Sequence, residues 1–387
     1  MKILSIETSC DETAVSLLEA KGGLTEPYFS VLANALFSQI DIHREYGGVF
    51  PNVAKREHAK NLPFLLKKVL EDGNQYQKES EEEYSEETWE KIKKITEKDD
   101  KLFDGLKESL SNIKKPEIDI ITVTSGPGLE PALWVGISCA KALGELWGIP
   151  VIPSNHMEGH ITSVLLNENN NSKVEFPALA LLISGGHTEL VEIEKWGKYK
   201  IIGETKDDAV GEAFDKVARM LGLPYPGGPE ISRLAKEARD QNLPQKCKLP
   251  RPMINSGDLN FSFSGIKTAV LYYIRDNPIE NEGDKMDIAR EFEDSVIDVM
   301  LSKTQKAIEK TGAKTLIVAG GVISNRLLRE KFKALENSEL MVKIPENSHS
   351  TDNALMIASA AYMRYLIDPE IIKTKHNIVA SGNLKLS

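Results

Sequence analysis

Cysteine is scarce. Only Cys10, Cys139 and Cys247 occur in 387 residues, too few for a disulfide framework and in keeping with reduced thiols. No run approaches about 18 consecutive apolar residues, so no membrane-spanning helix is expected. The apolar run in the N-terminal MKILSIETSCDET is too short for a signal peptide, and a cytoplasmic location is expected. Positive charge does not predominate: 48 Lys and Arg stand against 58 Asp and Glu, a net of −10. That argues against gripping nucleic acid by bulk positive charge, though not against a local basic face. No segment fits the Walker pattern or the dinucleotide fingerprint. What is present is ordinary globular composition, 41% hydrophobic and 27% charged, which excludes a disordered or fibrous chain. The length suggests two or three domains.

The acid is unevenly placed. Residues 71–112 hold 14 Asp or Glu against 7 Lys, a net of −7, which leaves −3 on the other 345 residues. This stretch reads as a solvated helical or partly disordered insertion. Basic residues cluster at Lys55, Arg56 and Lys60, at Lys246, Lys248 and Arg251, and at Arg326, Arg329, Lys331 and Lys333. Each cluster by itself reads as a solvated face.

Elsewhere, short apolar runs alternate with helical periodicity. Residues 3–6 and 15–18 read as a hairpin around a polar turn at 8–13. Residues 58–70, 131–147 and 154–166 read as helices, and 118–123 and 151–152 as strands. The second half repeats this order: a strand at 178–183, a glycine turn, a return strand at 189–193, helices at 208–221 and 289–308, then a strand at 315–318 entering a glycine loop. The repetition implies an internal duplication, two similar α/β lobes with a cleft between them. Lobe 1 is expected over 1–172, lobe 2 over 173–350, and a C-terminal helix packing across the lobes over 351–387.

Four loops follow strands: 7–13, 125–128, 184–188 and 320–325. Glycine lets backbone approach a ligand closely, and loop N–H groups suit phosphate oxygens. HMEGH at 156–160 puts two imidazoles at i and i+4, on one helix face and suited to one metal ion. It is not the zinc-protease motif, which needs Glu directly after the first His; here that residue is Met157. Asp352 is the candidate third ligand, although its place before a helical run also suits an N-cap. Mixed nitrogen and oxygen ligation suits Fe(II) or Zn(II). Asp208, Glu212 and Asp215 fall on one face of the expected helix and read by default as an acidic stripe.

These motifs together resemble the universal tRNA adenosine threonylcarbamoyltransferase family, once labelled O-sialoglycoprotein endopeptidase. The segments that carry the resemblance are IETSCDET at 6–13, TSGPGLEPALWVG at 124–136, NHMEGHI at 155–161 and LLISGGHTEL at 181–190. They continue with GEAFDKVARMLGLPYPGGP at 211–229, FSFSGIKTAV at 261–270, AGGVISNRLLR at 319–329 and STDNALMIA at 350–358.

The resemblance implies an α/β, two-lobed actin-like, sugar-kinase and Hsp70 ATPase fold with duplicated RNase H-like lobes and, here, a charged helical insertion. It implies transfer of threonylcarbamoyl from threonylcarbamoyl-AMP to N6 of adenosine 37 in tRNAs reading codons that begin with A, with ATP or ADP a further candidate for the same cleft. Carried over by position, His156, His160 and Asp352 resemble the metal ligands. Leu182, Ile183, Ser184, Gly185, Gly186, Asp215, Gly228 and Asn325 resemble the substrate or nucleotide contacts. Asp11 and Glu12 are the candidate catalytic carboxylates. Many members carry an Asp four residues after the PGG turn, and here Ser232 stands there. Implied partners are tRNA, an inert paralogue subunit and a P-loop ATPase, without a membrane. The alternatives are a small-molecule kinase or ATPase of the same fold, a metalloprotease and a non-catalytic scaffold.

Overall fold

The computed structural model describes residues 1–77, 84–166 and 173–386. The chain divides into two compact units: residues 1–173 with 352–386, and residues 174–351.

In the first unit, β1 (Lys2–Glu7), β2 (Glu12–Gly22) and β3 (Pro27–Ser38) form an antiparallel meander. The chain then runs through helices α1 (Ile40–Arg44), α2 (Pro51–Asp72), α3 (Glu86–Ile95) and α4 (Asp100–Leu110). Strand β4 (Ile120–Gly126), helix α5 (Glu130–Trp147), strand β5 (Val151–Asn155) and helix α6 (His156–Thr162) complete it. Strand β4 pairs in parallel with β1, and β5 in parallel with β4, giving the order β3-β2-β1-β4-β5.

Strand periodicity sorts the side chains. Leu4, Ile6, Val15 and Leu17 pack with residues of α2 and α5, while Ile3, Leu18 and Ile120 pack with the C-terminal helix Ala354–Ile367. The segment expected over 351–387 therefore lies, from residue 352, within the first unit.

The second unit holds β6 (Ala178–Ile183), β7 (Thr188–Lys195) and β8 (Lys198–Glu204), again an antiparallel meander, followed by α7 (Val210–Met220) and α8 (Gly227–Asp240). Then come α9 (Ser264–Asp276), α10 (Glu282–Thr311), β9 (Thr315–Ala319), α11 (Arg326–Lys333) and β10 (Met341–Lys343). Strand β9 lies parallel to β6, and β10 to β9. The order β10-β9-β6-β7-β8 repeats that of the first sheet, strand for strand. The duplication inferred from sequence is thus present in both order and direction. Helix α10 starts from a capping box of Asn281 and Asp284 and stops at Gly312, which takes a left-handed φ of 63°.

The acidic insertion is not a solvated graft. Residues 78–83 lie outside the described residues, but α3 and α4 bury Trp89, Ile92, Leu102, Leu106 and Leu110 in the core with Leu62 and Leu66 of α2. Their charges sit on the opposite faces. Apolar residues three and four apart outweigh the composition of the segment. No helix among the described residues is long and apolar enough to cross a membrane.

Candidate metal centre

Strand β5 ends at Asn155, whose side chain caps α6 by accepting from the backbone N–H of Met157 (2.8 Å) and Glu158 (3.2 Å). Spacing i, i+4 then sets His156 and His160 edge to face, ring centroids 4.7 Å apart and planes at 86°. Asp352 is not the cap of the C-terminal helix. Asn353 fills that place, accepting from Met356 N at 3.0 Å. The Asp352 carboxylate turns to the histidines instead, its Oδ1 3.4 Å from His156 Nε2 and 3.2 Å from His160 Nε2. One ligand atom from each of the three residues lies within 4.8 Å of the others.

Behind His156 stands Glu7, the last residue of β1 and wholly buried. Its Oε2 is 3.2 Å from His156 Nδ1, and it accepts from Thr124 Oγ1 and from Ser9 N, each at 2.5 Å. A carboxylate on the far nitrogen fixes a ligating imidazole, leaving Nε2 for the centre. Burial works against charge at all four groups, Glu7, Asp352, His156 and His160. Burial raises the Glu7 and Asp352 carboxyls, but the adjacent His156 more than offsets it and holds both below the usual range. Burial lowers His156, and Asp352 and Glu7 reverse that and hold it well above its ordinary value. At His160 burial wins and pushes the imidazole below its ordinary value.

Among the described residues, neither ring nitrogen of the fully buried His160 has a hydrogen-bond partner. Asp352 Oδ1 approaches its Nε2 to 3.2 Å without forming a hydrogen bond. An orphaned buried nitrogen costs about 1–3 kcal/mol. A buried imidazole nitrogen without a partner, beside a carboxylate and a second imidazole, suits a divalent ion, so these residues fit a metal.

Of the two catalytic candidates, Glu12 lies near enough to the centre to feel the charge of Asp352. Asp11 is nearly buried, and Glu12 opens β2 with its Oε1 3.3 Å from Ser38 Oγ. Burial, then the negative charges of Asp11 and Asp352, push the Glu12 carboxyl well above the usual range. Sequence reasoning passed over Glu7 as a site residue. The signal was an acid at the end of the buried run KILSIE, which demands a partner.

The second unit carries a cavity of about 740 Å³ whose lining includes Gly185, Asp215, Gly228, Ser232, Glu293 and Asn325. Of the expected contacts, Leu182 and Ile183 lie deeper, with side chains fully buried in β6. Ser184 Oγ accepts from His187 N at 3.1 Å, and neither Ser184 nor Gly186 is among the lining residues. The acidic stripe dissolves. Helix α7 starts at Val210, so Asp208 is off the helix and held by Lys216 (2.9 Å) and Lys267 (3.0 Å), and Glu212 pairs with Lys216. Asp215 Oδ1 accepts from Gly227 N at 2.7 Å. Asn325 caps α11 and donates to Ser232 Oγ (2.7 Å) and Glu293 Oε1 (2.6 Å). Glu293, not foreseen from sequence, also accepts from Arg239 at 2.6 Å. Gly320 has φ of 100°, and a Cβ there would lie 2.4 Å from Ile183 O, so only glycine lets β9 turn this close to β6.

A sequence model described as TsaD, tRNA N6-adenosine threonylcarbamoyltransferase, matches residues 30–79 and 101–359. The chain is 43% identical over 369 residues to the tRNA N6-adenosine threonylcarbamoyltransferase of Persephonella marina, covering 94% of this chain and 90% of that one. It belongs to this family. The Ralstonia pickettii protein of the same name is 41% identical over 374 residues, covering 95% of this chain and 93% of the other. Among solved structures, HypF of T. kodakarensis superposes with a TM-score of 0.51 at 11% identity, over 72% of this chain and 45% of that chain, a likeness of fold alone. The fold of this family member is the two-lobed α/β class expected from sequence, its two sheets being copies of one topology.

Two of the expected surface cations serve inside the second unit. Arg251 is tied to Asp298 at 3.0 Å and to Glu291, and Arg329 donates to Pro345 O at 2.8 and 2.7 Å. In the first unit Lys55 pairs with Asp99 at 3.1 Å, and Arg56 and Lys60 lie 3.4 and 3.6 Å from Glu57.

Burial lowers His58 from the ordinary 6.5 to about 4. Its folded value lies below its unfolded one, so its share of stability is complete above pH 6.5 and is lost as the pH falls toward 4. The loss is about 3 kcal/mol at most. Urea titrations at pH 7 and pH 4.5 are expected to show a smaller acid-induced loss in His58→Gln than in the wild type.

Proposed function

We propose that this family member transfers a threonylcarbamoyl group from threonylcarbamoyl-AMP to N6 of adenosine 37 in tRNAs reading codons that begin with A. The observation that carries this is the His156, His160 and Asp352 group with its buried, orphaned imidazole, near Glu12, in a chain of this family. These three residues would hold one divalent ion, Fe2+ or Zn2+. When bound, such an ion supplies Lewis acidity to a carbonyl oxygen and a charge that anchors the threonyl group.

The protein's own groups do the rest. Glu7 keeps His156 in one orientation. In the transfer, the N6 amine attacks the carbamoyl carbon, the bond from that carbon to the phosphate oxygen breaks, and AMP leaves with the electron pair. The amine proton goes to Asp11 or Glu12, the latter with its proton affinity raised by burial and by the charges of Asp11 and Asp352. No covalent protein nucleophile is required. In the second unit, the cavity is proposed as an adenine-nucleotide site, with phosphate oxygens at the N-terminal N–H groups of α8 and Asn325 held in place by Ser232 and Glu293.

Partners follow as proposals: tRNA, an inert paralogue subunit and a P-loop ATPase, in the cytoplasm. Binding of tRNA is expected to weaken with salt. The deciding experiment incubates the protein with threonylcarbamoyl-AMP and unmodified tRNA, with and without those partners, and assays the modified nucleoside. No product under any combination sinks the reading. Asp11→Ala is expected to slow single-turnover transfer by about 100-fold; an unchanged rate removes Asp11 from the reaction.

A further inference from the structure

The loop between β1 and β2 is held from outside through three successive carbonyls. Ser9 O accepts from Leu129 N at 2.7 Å, Cys10 O from His58 Nε2 at 2.9 Å, and Asp11 O from Gln39 N at 2.9 Å. The outer two donors are backbone. The middle one is a side chain from within α2, fully buried.

A carbonyl only accepts, so His58 Nε2 carries the hydrogen and Nδ1 is the bare nitrogen. Nδ1 in turn takes the Thr13 hydroxyl at 2.7 Å. One imidazole therefore clips both ends of segment 10–13, whose two middle residues are Asp11 and Glu12. The ring is braced in turn. Gln39 Nε2 lies 3.3 Å from Nδ1, Gln39 Oε1 lies 3.2 Å from His43 Nε2, and Phe50 N donates to His43 Nδ1 at 3.4 Å. A histidine that merely filled space would not need both nitrogens matched to one loop.

We propose that His58 is a positioning residue for the transfer reaction, holding the Asp11 and Glu12 carboxylates toward the His156, His160 and Asp352 group through the Cys10 carbonyl and the Thr13 hydroxyl. This rests on the function proposed above. Reach separates the variants. His58→Gln places an amide N–H near the position of Nε2 and keeps the donor to Cys10, whereas the side chain in His58→Asn stops short.

The test compares the two variants with wild-type protein, fully metal-loaded and with its partners. His58→Asn is expected to lower kcat by about 10-fold or more, with KM for tRNA within about twofold. It should also speed hydrogen exchange of the amides of residues 9–13 by about 10-fold, as a loosened loop does. His58→Gln should restore both, and bound metal should match the wild type in each. Wild-type kcat in His58→Asn overturns the proposal, as does His58→Gln being as impaired as His58→Asn at equal thermal stability. Wild-type protein that makes no modified nucleoside defeats the functional reading instead. The exchange data then still decide the His58 claim, and unchanged exchange in His58→Asn overturns it.

Discussion

Replacing His156 and His160 together by alanine is expected to remove bound metal and to lower threonylcarbamoyl transfer by on the order of 1,000-fold or more, the loss of several kcal/mol of charge stabilisation. The two imidazoles supply both nitrogen donors of the group, and Asp352 alone is one carboxylate on a partly exposed residue. The fold should survive the change. The His160 side chain makes no hydrogen bond among the described residues, so its removal leaves no buried partner stranded in the metal-free protein. His156 does leave Glu7, but Ser9 N and Thr124 Oγ1 still donate to that carboxylate. Elemental analysis and a single-turnover nucleoside assay on the same preparation read the two effects, with circular dichroism as the folding control. Stoichiometric metal in the double variant would show that the ligands lie elsewhere. Glu7→Gln is a graded companion, since losing a carboxylate behind a ligating histidine costs about 10–100-fold in metal affinity.

Trp89→Ala is expected to destabilise the first unit by about 3–5 kcal/mol, the cost of emptying a large aromatic site in a core. Trp89 lies in the most acidic stretch of the chain, yet it is 5% exposed and meets Tyr84 and Phe103 edge-on, ring centroids 6.4 and 6.3 Å away. Ile92, Leu102, Leu106 and Leu110 around it are all buried. The neighbouring Glu90 is exposed, and Glu90→Ala should fall within about 0.5 kcal/mol of the wild type. Urea denaturation followed by far-ultraviolet circular dichroism distinguishes the two. If Trp89→Ala proves as mild as Glu90→Ala, the insertion is a surface graft after all.

That pair of variants also marks where sequence reasoning stopped. The acids of residues 71–112 dominate its composition, and composition reports solvation, not which face of a helix is turned inward. The stretch has helical spacing at Leu102, Leu106 and Leu110, but spacing shows only that a face exists. Whether that face is covered depends on α2 and α5, which lie elsewhere in the chain. Strands β3, β8 and β10 escaped notice for a related reason. They are partly exposed or short, and their apolar residues form only runs of two or three.

The metal group divides along the same line. Two imidazoles four residues apart share a helix face by backbone geometry alone, and the paired strand–loop–strand and strand–loop–helix orders that betray the duplication are equally local. These the sequence determined by itself, because a period of 2 or 3.6 is written into neighbouring residues. Tertiary structure alone decided that Asn353 caps the C-terminal helix so that Asp352 turns to the histidines. It also decided that Glu7 orients a histidine 149 positions away, and that Asn325 meets Ser232 and Glu293 in one cavity. Each is a competition for one polar group among partners far apart in the chain, and the folded core settles it by which of them it brings within hydrogen-bond reach.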